Sequence, residues 1–159
     1  AHLEQYPDMI DWFMLMEWWE MASNARWSLH LYKDSGVGNP LYWGVIGQTH
    51  TPNYEPIWPT QTNTEVEVPI GEWFRFEAFF RKGTDSTGRI WIAITREGQD
   101  TQVLFDINDY TEHPVSPLPI ANWQVFKMYT SQTMVDFMRD AGRPVAVYYD
   151  DFEYWADMP

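Results

Sequence analysis

The sequence contains no cysteine, and this absence removes several kinds of chemistry at once. A chain without thiols has no disulfide bonds, no thiolate-bound zinc and no cysteine nucleophile. The four histidines, at positions 2, 30, 50 and 113, show no ligand spacing. The sequence therefore predicts neither a disulfide-stabilised domain nor a zinc site.

Basic residues are also scarce. Ten Lys and Arg stand against 23 Asp and Glu, which gives a formal net charge of −13, and the ten are scattered along the chain. Nucleic acids and anionic membranes both attract clustered basic side chains, so we expect neither as a partner. The excess negative charge favours a neutral or weakly charged ligand over a polyanion.

Long apolar runs, internal repeats, low-complexity tracts and linkers are absent as well. No apolar segment approaches the ~20 residues of a membrane-spanning helix, and no signal peptide is recognisable in this chain. With 159 residues and 45% hydrophobic composition, the chain can bury a core of its own. We expect one domain over residues 1–159.

Aromatic residues, in contrast, are abundant: 10 Trp, 9 Tyr and 9 Phe make up 18% of the chain. A small domain does not easily bury ten indoles, which combine a large apolar face with one polar N–H group. This composition favours an aromatic surface that faces a ligand, and the alternative is a Trp-rich core.

Short runs of β-forming residues alternate with Gly, Pro, Asn and Asp, which is typical of antiparallel strands joined by turns. The predicted strands are 11–21, 26–33, 41–50, 64–69, 71–83, 89–98, 101–107, 122–131 and 145–155. A Pro-rich loop with an exposed Trp58 follows the third strand, and 132–142 is the only predicted helix. The pattern predicts an all-β fold: an antiparallel two-sheet β-sandwich with one short helix.

Three segments carry a family resemblance: "GQTH" (47–50), "GEWFRFEAFF" (71–80) and "VFKMYTSQ" (125–132). In this order they resemble the concanavalin A-like jelly roll, in particular alginate-lyase-like and heparin-lyase-like polysaccharide lyases and related carbohydrate-binding domains. The resemblance implies jelly-roll connectivity. It also implies that an N-terminal strand of the family is absent or supplied differently.

In those lyases the Gln-x-His pair neutralises the substrate carboxylate or takes its α-proton, and a Tyr acts as acid or base. By position, the resemblance nominates Gln48, His50, Lys127 and Tyr129. The segment "FKMYTS" lacks the Gly that the lyase motif has between its Lys and Tyr. In those lyases the Arg of an earlier Arg-x-Glu strand orients the uronate, and no Arg-x-Glu strand precedes Gln48 here. His50, Tyr129 and Lys127 are therefore catalytic candidates of an alternative function.

The residue pattern itself points to a sugar-binding face. Gln48 and His50 are two apart and share one face of a strand, as Arg26 and His30 do on the preceding one. Flat aromatic rings suit the C–H face of a pyranose, and polar side chains suit its hydroxyls. The predicted ligand-binding residues are Trp18, Arg26, His30, Trp43, Gln48, His50, Arg75, Glu77, Lys127 and Tyr129.

Acidic residues suggest two further possibilities. Glu17 and Glu20 have odd spacing, so they face opposite ways unless a bulge intervenes, and a glycosidase needs two acids across one cleft. The carboxylates of Asp150, Asp151 and Glu153 offer oxygen ligands for a structural calcium ion. We expect no other cofactor.

The predicted function is recognition of a polysaccharide or oligosaccharide by the concave face of a jelly roll. We expect an exported bacterial protein, secreted or periplasmic. One alternative is a polysaccharide lyase or glycoside hydrolase of the same superfamily. Another is a protein-interaction domain whose Trp-rich surface meets a protein partner.

Overall fold

The computed structural model describes residues 2–3, 12–33, 40–50, 53–125, 127, 129–142 and 146–158. The helix α1 is Gln132–Asp140, and a short 3₁₀ turn covers Met21–Ser23. The strands are β1 His2–Leu3, β2 Trp12–Glu20, β3 Ala25–Lys33, β4 Leu41–Thr49, β5 Pro56–Asn63, β6 Phe74–Arg81, β7 Arg89–Arg96, β8 Gln102–Ile107, β9 Ile120–Gln124, β10 Tyr129–Thr130 and β11 Val147–Tyr148.

Two antiparallel sheets form a β-sandwich, which confirms the predicted fold class with its one helix. The larger sheet has the order β10-β2-β3-β4-β5, and β9 also pairs with β2, along Glu17–Glu20. The smaller sheet is β6-β7-β8, and β1 pairs with β11. Strands β2 to β5 form one meander and β6 to β8 another. Jelly-roll connectivity stays a prediction.

The core lies between the two sheets and follows the alternation of the strands. Trp27, Leu29 and Leu31 of β3 are fully buried in one cluster with the isoleucines of β7. Burying each such side chain stabilises the fold by about 1.5–3 kcal/mol. The indoles of Trp27 and Trp58 both donate to the Tyr110 carbonyl, at 3.2 and 3.0 Å, so one loop oxygen satisfies two buried N–H groups.

Strand β5 was predicted as a loop because of its two prolines, and Trp58 was predicted to be exposed. Both predictions are wrong. Strand β5 lies at the edge of the sheet, where proline costs no ladder hydrogen bond, and Trp58 points into the core. The predicted strand 64–69 is not formed, because Asn63 Oδ1 accepts hydrogen bonds from the amides of Glu65 (3.0 Å) and Val66 (2.9 Å) and turns the chain.

The C-terminal predictions are partly confirmed. The predicted strand 122–131 contains two short strands, β9 and β10. Of the predicted strand 145–155 the structure describes 146–155, and within that range only Val147–Tyr148 form a strand. Helix α1 forms as predicted: Ser131 Oγ caps it by accepting the Met134 N–H at 3.1 Å. It has nine residues, and among the described residues no helix is long and apolar enough to cross a membrane.

Close packing at Gly47 gives a test of this core. A Cβ atom there would lie 2.7 Å from the Trp58 ring and 2.9 Å from Trp27 Cδ1, so one of these buried rings would have to shift. We expect Gly47→Ala to lower the free energy of unfolding by about 1–3 kcal/mol, measured by urea denaturation. The same substitution in a Trp58→Phe background should cost less, because the smaller ring relieves part of the clash. Equal costs in both backgrounds would contradict this packing.

Candidate functional site

The predicted polar face is the outer face of the larger sheet, the side turned away from the smaller sheet. Because Trp27, Leu29 and Leu31 of β3 point into the core, the alternate residues of that strand point outward. These outward residues are Arg26, Ser28, His30 and Tyr32. Gln48 of β4 lies directly opposite Arg26 in the ladder and points to the same side.

Arg26 and Gln48 form a bidentate contact on this face. With the Gln48 amide oriented so that its oxygen faces the guanidinium, Oε1 accepts from Arg26 Nε at 3.0 Å and from Nη2 at 2.9 Å. This leaves the amide NH₂ of Gln48 on the far side as a donor. The contact therefore fixes the direction of both side chains.

Aromatic rings and an imidazole surround the guanidinium. Its carbon lies 5.4 Å from the ring centroid of Trp19 and 5.7 Å from that of Tyr54. The His50 ring meets both aromatic rings edge-on, with centroids 4.9 Å from Trp19 and 4.0 Å from Tyr54. We call Trp19, Arg26, Gln48, His50 and Tyr54 the arginine cluster. It brings together three residues predicted from the sequence.

Sequence reasoning missed the two aromatic members of this cluster. Trp19 pairs with Arg26 across β2 and β3, a register that only the folded ladder reveals. Tyr54 is 62% exposed on the loop before β5. That loop is folded back onto β4, because the Thr49 N–H donates to the Glu55 carbonyl at 2.8 Å.

His30 has a different environment from His50. It is buried, and both ring nitrogens have partners: Nε2 lies 3.1 Å from Ser28 Oγ and Nδ1 lies 2.9 Å from Tyr32 Oη. Trp12 stacks on the ring at a centroid distance of 5.7 Å. Burial lowers the pKa of His30 to about 3, and the positive charge of Arg26 acts in the same direction. His30 is therefore a neutral structural link in this face.

Lys127 and Tyr129 lie toward the opposite edge of the face. The Lys127 ammonium forms an ion pair with the buried carboxylate of Glu17 and lies 5.2 Å from the Tyr129 ring centroid. Tyr129 is 51% exposed and packs on Trp12, with centroids 5.3 Å apart. Lys127 and Tyr129 therefore lie next to each other, and each contacts a residue of β2, Glu17 and Trp12 respectively.

The sheet register separates Tyr129 from Gln48 and His50. Tyr129 lies opposite Met14, and Met14 lies opposite His30. Tyr129 is therefore three strands from Gln48 and four residues along, roughly 14 Å across the sheet and roughly 13 Å along it. This spacing does not bring Tyr129 and His50 together as an acid and base.

Four predicted site residues lie elsewhere. Trp18 and Trp43, 2% and 1% exposed, are core residues: Trp18 stacks on Phe80 at 4.8 Å, and Trp43 Nε1 donates to the Val66 carbonyl at 3.1 Å. Arg75 and Glu77 form an ion pair on β6 of the smaller sheet. Since Phe74 and Phe76 of that strand face the core, Arg75 and Glu77 point away from it on the far side of the sandwich.

The calcium prediction gains no support from the structure. Asp150, Asp151 and Glu153 are all exposed, and Asp150 Oδ1 accepts the Asp151 N–H at 2.9 Å. In the part of the chain that the structure describes, no three acidic or histidine side chains are grouped so that they could hold a metal ion.

The buried His30 predicts a pH dependence of stability. Between its folded pKa of about 3 and its ordinary value of 6.5, the unfolded chain binds the extra proton, so stability falls as pH falls through this range. We expect His30→Gln to remove a slope of up to about 1.4 kcal/mol per pH unit between pH 6.5 and 5, measured by urea denaturation. His50→Gln, at a half-buried position, should change the slope less. An unchanged slope in His30→Gln would refute the burial of a neutral imidazole.

His50 offers a second titration. Partial burial lowers its pKa below the ordinary 6.5, and the charge of Arg26 lowers it further. We expect Arg26→Gln to raise the His50 pKa, because a nearby positive charge no longer opposes protonation. Proton NMR of the imidazole measures this, and Arg75→Gln, on the other sheet, should leave the value unchanged. A titration unaffected by Arg26→Gln would contradict the arginine cluster.

No protein-family model, no curated protein and no solved structure matches this chain. We therefore infer its function from the arrangement of its own residues.

Proposed function

We propose that the outer face of the larger sheet binds a polysaccharide through the arginine cluster. One observation carries the proposal: Arg26 is bonded to Gln48, and two aromatic rings, Trp19 and Tyr54, contact both Arg26 and His50. Sugar sites combine an apolar face with a few fixed polar groups in this way.

Each member of the cluster supplies a contact that a sugar ring needs. Tyr54 offers an exposed ring for the C–H face of a pyranose. The Gln48 NH₂ group is a hydrogen-bond donor, and a neutral His50 both donates and accepts. Arg26 adds donors for hydroxyl oxygens, and its bond to Gln48 reduces the side-chain entropy that binding would cost.

The charge of the molecule selects among glycans. A net charge of −13 repels polyanions at long range, so the ligand is a neutral or weakly charged polysaccharide. The one positive charge of Arg26 at the site allows an occasional acidic group. Such a ligand fits an exported protein, secreted or periplasmic, and that location is part of the proposal.

A polysaccharide lyase is the second candidate, and one observation favours it. The resemblance calls for an arginine on a strand before the Gln-x-His pair, and Arg26 occupies that place beside Gln48. Its motif reads "RWS", so a serine stands where the lyases have glutamate. The separation of Tyr129 from His50 weighs against this chemistry, so binding remains the stronger proposal.

Affinity electrophoresis against glucan, mannan, xylan and polygalacturonate tests the proposal. We expect retardation by at least one neutral polymer. Arg26→Ala and Tyr54→Ala should each weaken binding about tenfold, the equivalent of ~1.4 kcal/mol for one lost contact. Arg75→Ala is the matched control, because this arginine lies on the other sheet and should bind like the wild type.

Each other outcome points to a specific alternative. Unsaturated products from polygalacturonate, lost in Arg26→Ala, would establish a lyase. Equal losses in Arg75→Ala and Arg26→Ala would place binding elsewhere. If no polymer is retarded and none is cleaved, the proposal is overturned in favour of a protein partner.

A further inference from the structure

A polar groove of about 320 Å³ lies beside the arginine cluster, where β9 pairs with the end of β2. Its lining includes Glu17, Trp19, Glu20, Asn122, Gln124 and Lys127. Ligand pockets start at about 300 Å³, so the groove is large enough for a small polar group. Trp19 belongs to both the groove and the arginine cluster, which makes the two sites continuous.

Two glutamates of β2 are among the residues around this groove. Glu17 and Glu20 are three residues apart and face opposite sides of a regular strand. The irregularity in the β2–β9 pairing places an extra residue, Ala121, on β9 and leaves β2 regular from Glu17 to Glu20, so no bulge turns Glu20 toward Glu17. Glu17 therefore shares the outer face with Trp19.

The two glutamates differ in how they are bonded. Glu20 is saturated by protein donors: its Oε2 accepts from Asn24 Nδ2 at 2.8 Å and its Oε1 accepts from the His113 N–H at 3.0 Å. It ties the loop at His113 to the end of β2 and has a structural role.

One oxygen of the Glu17 carboxylate lacks a hydrogen-bond donor among the described residues. Its side chain is fully buried, Oε1 is paired with Lys127, and Oε2 has no hydrogen-bond partner among the described residues. Buried carboxylate oxygens without donors are rare in native structures, because they lose their hydration without replacement. A donor that enters the groove beside Lys127 would complete this carboxylate.

We propose that this groove is a second sugar subsite, in which Glu17 Oε2 accepts a hydrogen bond from a hydroxyl of a neutral sugar unit. The amides of Asn122 and Gln124 bind its other hydroxyls, and Trp19 forms the wall shared with the arginine cluster. A neutral sugar is favoured over a uronate, because the carboxylate of a uronate would be repelled by that of Glu17. The inference rests on the proposed function and adds the class of sugar that this end of the face takes.

Two variants test the subsite in the electrophoresis assay with glucan, mannan and polygalacturonate. We expect Glu17→Gln to weaken binding of the neutral polymer about three- to tenfold, because a neutral amide is a weaker acceptor than a carboxylate. Asn122→Ala, at an exposed position where folding is not at risk, should also weaken it. Glu77→Gln is the matched control: it also removes a cation-paired carboxylate, but on the smaller sheet.

A second measurement separates this inference from the proposed function. Methyl glucoside and methyl mannoside should shift the side-chain NMR signals of Asn122 and Gln124, and glucuronate should not. If the wild type binds polymers and the variants Glu17→Gln and Asn122→Ala bind them equally well, the subsite is overturned and the arginine cluster stands. If no polymer binds but the neutral glycosides still shift these amides, the arginine cluster fails and the subsite stands. Shifts by glucuronate alone would overturn the choice of a neutral sugar.

Discussion

The alternation of strand β3 is the constraint on which the rest of the structure depends. This strand lies in the middle of the larger sheet, and one set of its side chains, including Trp27 and Leu29, fills the core. Its other set must then lie on the outer face, where Arg26 and His30 need polar partners. Neighbouring strands supply the partners of Arg26 in register, Gln48 from β4 and Trp19 from β2, and His30 is bonded within its own strand. The polar cluster is thus a consequence of how the core is filled.

The same logic explains two kinds of polar group on one face. His30 is buried beneath Trp12, and its two ring nitrogens are bonded to Ser28 and Tyr32. Both nitrogens of His30 are therefore already bonded within the fold. Gln48 and His50, near the end of β4, keep donors or acceptors on a half-exposed surface. Polar groups on this face that have no hydrogen-bond partner within the protein are the ones we propose for ligand contacts. Glu17 Oε2 is a buried group of this kind.

Period-two patterns predicted the sandwich, most strands and the outward direction of Arg26, His30 and Gln48, and the helical spacing of apolar residues in 132–142 predicted helix α1. These patterns failed where the position of a segment in the folded sheet, or a local turn, outweighed its sequence pattern. Edge position allowed β5 despite its prolines, and the turn at Asn63 replaced the strand predicted over 64–69. The pairing of residues across the sheet could not be predicted, because a single strand does not say which residue lies opposite. Trp19 was missed for this reason, and Arg75 and Glu77 of the other sheet were assigned to the same face. Tyr54 was missed because it lies on a loop that folds back onto β4, and Trp18 and Trp43 were named although they face the core.

The central claim is that the outer face of the larger sheet binds a neutral glycan. A ¹H–¹⁵N chemical-shift map during titration with a neutral oligosaccharide tests it most directly, because it reports every surface of the sandwich in one experiment. The account predicts that the largest changes fall on Trp19, Arg26 and Gln48, and that β6 is silent. Changes centred on Arg75 and Glu77, or none on the larger sheet with any oligosaccharide of the panel, would contradict it.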